Sequence, residues 1–265
     1  PRTLLVTRCP FEKNTQMLIS QDISTVEQVH ASHTSFVANV SHELRTPLTV
    51  INGFLETMRD MPDIPDEQRR QFITLMQKEG SRMLDLLNDL LTLSKLESQH
   101  HREQNKELIS LSLLSRQLFE STKTFSDGRH HITEDIEPEL SIRGIQPVLY
   151  SALSNLAFNA VRYTPEGGKV HISLKPEGER HARFSVSDTG PGIAPEHIPR
   201  LTERFYRVDN SRSRQSGGTG LGLAIAKHAL AAHDTKIEVE SELSKGSTFS
   251  VLFELASEIP TGIKL

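Results

Sequence analysis

NLAFNAVRYTP at 155–165, DTGPGI at 188–193 and GGTGLGLAI at 217–225 follow one another in that order, and their reading decides the fold of the second half of the chain. The first phrase reads as helix, and its spacing of four puts Asn155, Asn159 and Tyr163 on one face. Neutral amide oxygens suit Mg²⁺, which keeps waters and substrate oxygens in its octahedron, so Asn159 is the candidate metal ligand. The second phrase closes a strand with an acid. Asp188 can accept from an exocyclic amine such as that of adenine, while Gly190 and Gly192 let backbone lie close to a flat base. The third packs Gly217, Gly218, Gly220 and Gly222 ahead of a helix, offering free N–H groups and a positive dipole end to phosphates. Each phrase alone has an ordinary structural reading as a cap, a turn or a helix start. In this order they make one candidate nucleotide site.

Around these phrases, strand-like and helical segments alternate. HHITEDI, KVHISLKP, ARFSVSD, KIEVES and STFSVLFEL predict strands, and Leu113–Thr124, Pro147–Tyr163 and Leu221–Ala232 predict helices. This pattern predicts an α/β layer domain with a mixed or largely antiparallel sheet. A P-loop is excluded because no G-x-x-x-x-G-K-[ST] occurs, and a Rossmann fingerprint because the glycines have the wrong order and spacing.

The first half differs. Val26, Val29, Phe36, Val40, Leu44, Leu48, Ile51, Leu55 and Met58 recur at helical spacing, and a turn at MPDIPDE with Pro62 and Pro65 separates them from a second stripe, Phe72 to Leu96. The two helices predict a hairpin whose wide apolar stripe is buried by dimerising into a four-helix bundle. In the phrase FVANVSHELRTPLTV, 36–50, Val40 and Leu44 take the buried stripe, which turns His42 to solvent. Glu43 could take a ring proton from it, Thr46 follows one turn on, and Pro47 predicts a kink.

Composition narrows the remaining classes. The chain has 265 residues, 36% of them hydrophobic, and a formal charge of -4, with no basic run of the kind that marks a nucleic-acid surface. Its one cysteine, Cys9, cannot form an internal disulfide. No stretch approaches a membrane span, and the start at Pro1 without a methionine reads as a fragment of a longer protein. Two short apolar runs within residues 1–23 predict a hairpin, and SQHHREQNK at 98–106 reads as a linker.

SHELRTPL at 41–48 resembles the acceptor-site motif of sensor histidine kinases, and the three glycine and asparagine phrases resemble the ATP-binding domain those enzymes share with Hsp90, DNA gyrase and MutL. The resemblance implies an α+β multidomain chain. Residues 1–24 would end a PAS-like sensory domain, and 25–97 would be the dimerisation and phosphotransfer hairpin. A linker at 98–106 would lead to the ATP-binding sandwich at 107–258 and a tail at 259–265. By resemblance, His42 is the phospho-acceptor, with Glu43 as general base and Arg45 and Thr46 orienting a water for phosphatase activity. Mg²⁺ and the phosphates of ATP fall to Asn155, Asn159, Arg162 and Tyr163, and adenine to Asp188. The pocket is shaped by Gly190, Gly192, Phe205, Arg207, Gly218, Thr219, Gly220, Leu221 and Gly222, with Thr248 of KGSTF approaching the base. DNSRSRQSGGT, 209–219, reads as a lid over the phosphates. The phrases at 36–50 and 190–209 look most like the phosphate-limitation sensors of this family. That implies a homodimer, a PhoB-like response regulator as partner, and a membrane anchor in the parent protein. A nucleotide-driven clamp and a nucleotide-free interaction module are the alternatives.

Overall fold

The computed structural model describes residues 2–12, 15–61, 63–98, 106–208 and 218–256, and the chain divides into two compact units, Pro1–Met83 and Leu84–Leu265. The expected linker from 99 to 105, Pro62, the lid segment 209–217 with Gly217, the tail 259–265 and the side chain of Val29 lie outside the described residues.

In the first unit, strands β1 (Leu4–Glu12) and β2 (Thr15–Asp22) form the expected antiparallel hairpin, with Leu4 opposite Asp22. Leu4, Val6 and Leu18 are exposed on this two-stranded ribbon. Helix α1 (Ser24–Asp60) follows, then α2 (Asp66–Ser98), which begins in this unit and ends in the next. Asp66 and Glu67 stand in the first turn of α2, where their charges complement the helix dipole. Ile64 is buried in the turn between the helices, and Phe54 stacks on Phe72 with ring centroids 4.8 Å apart. Helix α1 runs unbroken through a buried Pro47. Leu48, Leu55 and Leu75 of the stripes legible in the sequence stay exposed on the single chain, as does Ile73. No described helix is long and apolar enough to cross a membrane.

In the second unit, β3 (Glu107–Ser110) pairs with β5 (Ser141–Gly144) beside α3 (Leu111–Ser126), whose first turn is capped by the Ser110 hydroxyl accepting Leu113 N–H at 3.2 Å. The main sheet has the order β4 (His131–Ile136), β6 (Lys169–Glu177), β7 (His181–Asp188), β9 (Gly246–Glu254), β8 (Ile237–Glu242). Only the β4–β6 pair is parallel, as a mixed and largely antiparallel sheet requires. Strict alternation buries Ala182, Phe184 and Val186 together with Phe249, Val251 and Phe253 on one face. Helices α3 and α4 (Gln146–Tyr163) pack on the sheet, and α5 (Gly222–Ala231) packs on α4. The opposite face is polar: Ser173 pairs with Ser185, and Arg183 bonds Glu177 and Glu238. The result is a two-layer sandwich with its core under α4. The short β3–β5 pair was not legible, because four-residue strands carry too little alternation to register.

Candidate active site

On α1, His42 is exposed and Glu43 is half-buried. Glu43 points across the hairpin, its Oε2 accepting from Arg82 of α2 at 2.9 Å. This is a partner the sequence reading missed, since residues 39 apart carry no periodic signal. Thr46 donates its hydroxyl to the His42 carbonyl at 3.3 Å, and Thr49 donates to that of Arg45 at 2.9 Å, while the Arg45 side chain is exposed. Pro47 has no N–H, so the Glu43 carbonyl loses its usual helical donor one turn from the histidine.

The residues that the sequence assigns to a nucleotide all belong to the second unit. Asn155 and Asn159 are half-buried on α4, and Asn155 Nδ2 donates to the Ser151 carbonyl at 2.8 Å, fixing the amide with its oxygen towards the start of α5. A Cβ at Gly222, the first residue of α5, would run into that oxygen, so only glycine permits this approach. Arg162 is half-buried with its guanidinium 6.0 Å from the Phe125 ring, and Tyr163 is exposed. The Arg162 and Arg207 side chains both pass within 3.6 Å of the point a Cβ on Gly218 would occupy.

Asp188 ends β7 half-buried, its Oδ1 accepting Gly190 N–H at 2.8 Å. Burial pushes its carboxyl above the ordinary value, and hydrogen bonds from the backbone of Gly190 and Ser247 oppose that rise. Gly192 has φ 70°, and a side chain there would strike the Glu242 carbonyl. Phe205 is left-handed at φ 63°, an uncommon state for an aromatic residue. It donates its N–H to Gly220, which at φ 75° is left-handed too. Leu221 is fully buried at the start of α5, and the Thr219 hydroxyl accepts its N–H at 3.2 Å.

Thr248 departs from expectation. It pairs with Ser187, and the two hydroxyls meet at 2.9 Å on the polar face, whereas Asp188 pairs with Ser247 on the helix-covered face. Side chains alternate along a strand, so a one-residue offset moves the contact to the other face. Ser247, which pairs with Asp188, is buried on that side. The reading from sequence also missed Asp89 of α2, whose Oδ2 accepts the Thr219 hydroxyl at 2.6 Å. Among the described residues, no group of three or more His, Cys, Asp or Glu could hold a metal ion.

An exposed histidine in a long helical hairpin, followed by an asparagine and glycine cradle on a two-layer sandwich, defines a class. Residues 32–99 match the His Kinase A (phospho-acceptor) domain, and residues 144–257 match the histidine kinase-, DNA gyrase B- and HSP90-like ATPase family. The chain belongs to the histidine kinases. Within them it is similar to the phosphate regulon sensor protein PhoR of Pseudomonas aeruginosa, 45% identical over 238 residues, 89% of this chain and 53% of that protein. PhoR of Haemophilus influenzae is 40% identical over 237 residues, 89% of this chain and 55% of the relative. The chain spans about half the length of these curated relatives. Among solved structures, the histidine kinase AdeS of Acinetobacter baumannii superposes with a TM-score of 0.63 at 25% identity, covering 81% of this chain and 98% of that one. Full-length ShkA in complex with AMPPNP gives 0.61 at 30% identity, covering 85% of this chain and 46% of that one.

Proposed function

We propose that this chain is the kinase portion of a membrane-anchored phosphate-limitation sensor. It phosphorylates His42 from Mg-ATP and passes the phosphoryl group to an aspartate of a PhoB-like response regulator. The observation that carries the reading is the exposure of His42 in an acceptor-type helix of a chain that also holds the Asn155–Asp188–Gly222 cradle. The likeness to PhoR supports the phosphate branch, and the AMPPNP bound by ShkA supports a nucleotide at the cradle.

Asp188 receives the adenine amino group at the floor of the pocket, with Ser247 beside it. The α5 N-terminus, Gly218 to Gly222 and Arg162 take the phosphates. Magnesium fits an amide-only protein shell: Asn159 would hold the ion through its side-chain oxygen, and the ion would supply neutralisation of phosphate charge. One ring nitrogen of His42 attacks the γ-phosphorus, the bond to the bridging oxygen breaks, and ADP leaves. Glu43, whose Oε2 accepts from Arg82, takes the proton of the other nitrogen. One histidine has to meet ATP and then the regulator, so the step depends on domain movement. Arg45 and Thr46 serve the reverse reaction, hydrolysis of the phosphorylated regulator. The exposed stripe of Leu48, Leu55, Ile73 and Leu75 pairs with a second copy in a four-helix bundle.

The test is incubation with γ-labelled ATP and Mg²⁺ beside His42→Ala. Acid-labile, alkali-stable label confined to the unsubstituted chain supports the reading. Label retained in the variant moves the acceptor elsewhere, and nucleotide binding without any label points to a clamp.

A further inference from the structure

Asp89 sits near the end of α2, and its carboxylate accepts the Thr219 hydroxyl at 2.6 Å. The same hydroxyl oxygen accepts the N–H of Leu221, the residue that caps α5, at 3.2 Å. Helix α2 therefore places a negative charge against the start of α5, on the residue between Gly218 and Gly220. Free N–H groups and the helix dipole make that end attractive to anions. Arg162 adds to the attraction: it acts electrostatically on Asp89, and its side chain passes 3.5 Å from the position a Cβ on Gly218 would take. These are the groups that the nucleotide reading gives to the phosphates.

The contact is poorly compensated. Burial raises the carboxyl of Asp89 above its ordinary value, the Thr219 hydrogen bond opposes this, Asp85 adds repulsion, and Arg162 offsets it. A neutral hydroxyl replaces only part of the hydration a buried carboxylate gives up. A polyphosphate carrying its own magnesium, with several N–H donors available, is the better occupant of the same ground.

We propose that Asp89 is an internal competitor for the phosphate end of the nucleotide site, docking α2 on Thr219 in the resting chain and giving way when nucleotide phosphates arrive. This rests on the nucleotide reading above. Its consequence is reciprocal: whatever holds the last turns of α2 on the loop weakens ATP binding, and ATP binding releases α2.

Calorimetric titration of the whole chain tests it, using the β,γ-imido analogue of ATP with Mg²⁺ and, separately, adenosine, which has no phosphates. Asp89→Asn keeps the shape and a hydrogen-bond acceptor while removing the charge, and Asp89→Ala removes both. Each variant is expected to bind the ATP analogue roughly 5- to 10-fold tighter than the parent chain, a coupling at the low end of the usual range, with adenosine affinity unchanged. Unchanged or weaker binding of the ATP analogue by folded Asp89→Asn overturns the proposal and leaves the nucleotide site standing. An equal gain for adenosine also overturns it, since that marks a general loosening of the pocket. If the parent chain binds neither ligand, the nucleotide reading itself falls and takes the proposal with it.

Discussion

Gly222 and Asn155 leave no space between them: the Asn155 side-chain oxygen fills the place a Cβ on residue 222 would need, and its amide nitrogen is tied to the Ser151 carbonyl at 2.8 Å. Gly222→Ala therefore displaces Asn155 and the first turn of α5 together. Nucleotide affinity is expected to fall more than about tenfold, because small misplacements in a phosphate site are costly. An unchanged dissociation constant in a folded variant contradicts this account of the cradle.

The register of β7 and β9 separates Ser247 from Thr248 by face. Thr248→Val removes one hydroxyl from the polar face and is expected to leave nucleotide affinity within about twofold. Ser247→Val crowds the buried side beside Asp188 and weakens binding at least about fivefold, about 1 kcal/mol. The reverse ranking returns the adenine contact to Thr248.

The Glu43–Arg82 ion pair has both side chains less than a third exposed, at 29% and 16%. A double-mutant cycle with Glu43→Gln and Arg82→Gln, read by denaturant unfolding, is expected to give a coupling of about 0.5–1.5 kcal/mol. Glu43→Gln also slows autophosphorylation by about 10²-fold with little change in ATP affinity, as loss of a proton acceptor requires. A variant labelling at the parent rate removes Glu43 from the chemistry.

His233 ties the end of α5 to the start of α4. Its Nε2 accepts Ile145 N–H at 3.0 Å while Nδ1–H donates to the Ala229 carbonyl at 2.7 Å, which fixes the neutral tautomer. Burial lowers its pKa from the ordinary histidine value of about 6.5. The unfolded chain thus binds the proton first on acidification. Stability from this residue is complete above about pH 6.5 and is lost as pH falls below it, towards the lower folded value. Melting temperatures between pH 7.5 and 5.5 should drop less steeply for His233→Gln than for the parent. Parallel slopes exclude His233 as a source of the pH dependence.

What the sequence made legible was whatever is repeated or local. The helical spacing of Val40, Leu44 and Leu48 located α1, and contiguous phrases singled out His42, Asn159, Asp188 and Gly222 as candidates. Contacts between distant residues left no trace of this kind. Asp89 meets Thr219 across 130 positions and His233 meets Ile145 across 88, and each side chain alone reads as an ordinary surface or core residue. Thr248 shows a different limit of the sequence. Its motif was found, but the face was not, since alternation amplifies an error of one residue into the opposite side of a sheet.

Pro47 gives α1 a property beyond its place in the acceptor phrase. An α-helix of 37 residues resists bending because every turn is tied to the next, and here one tie is missing just after His42. The two arms of α1 meet at a compliant joint one turn past the histidine. A bend at that joint would re-aim the imidazole of His42 without melting the helix that carries it.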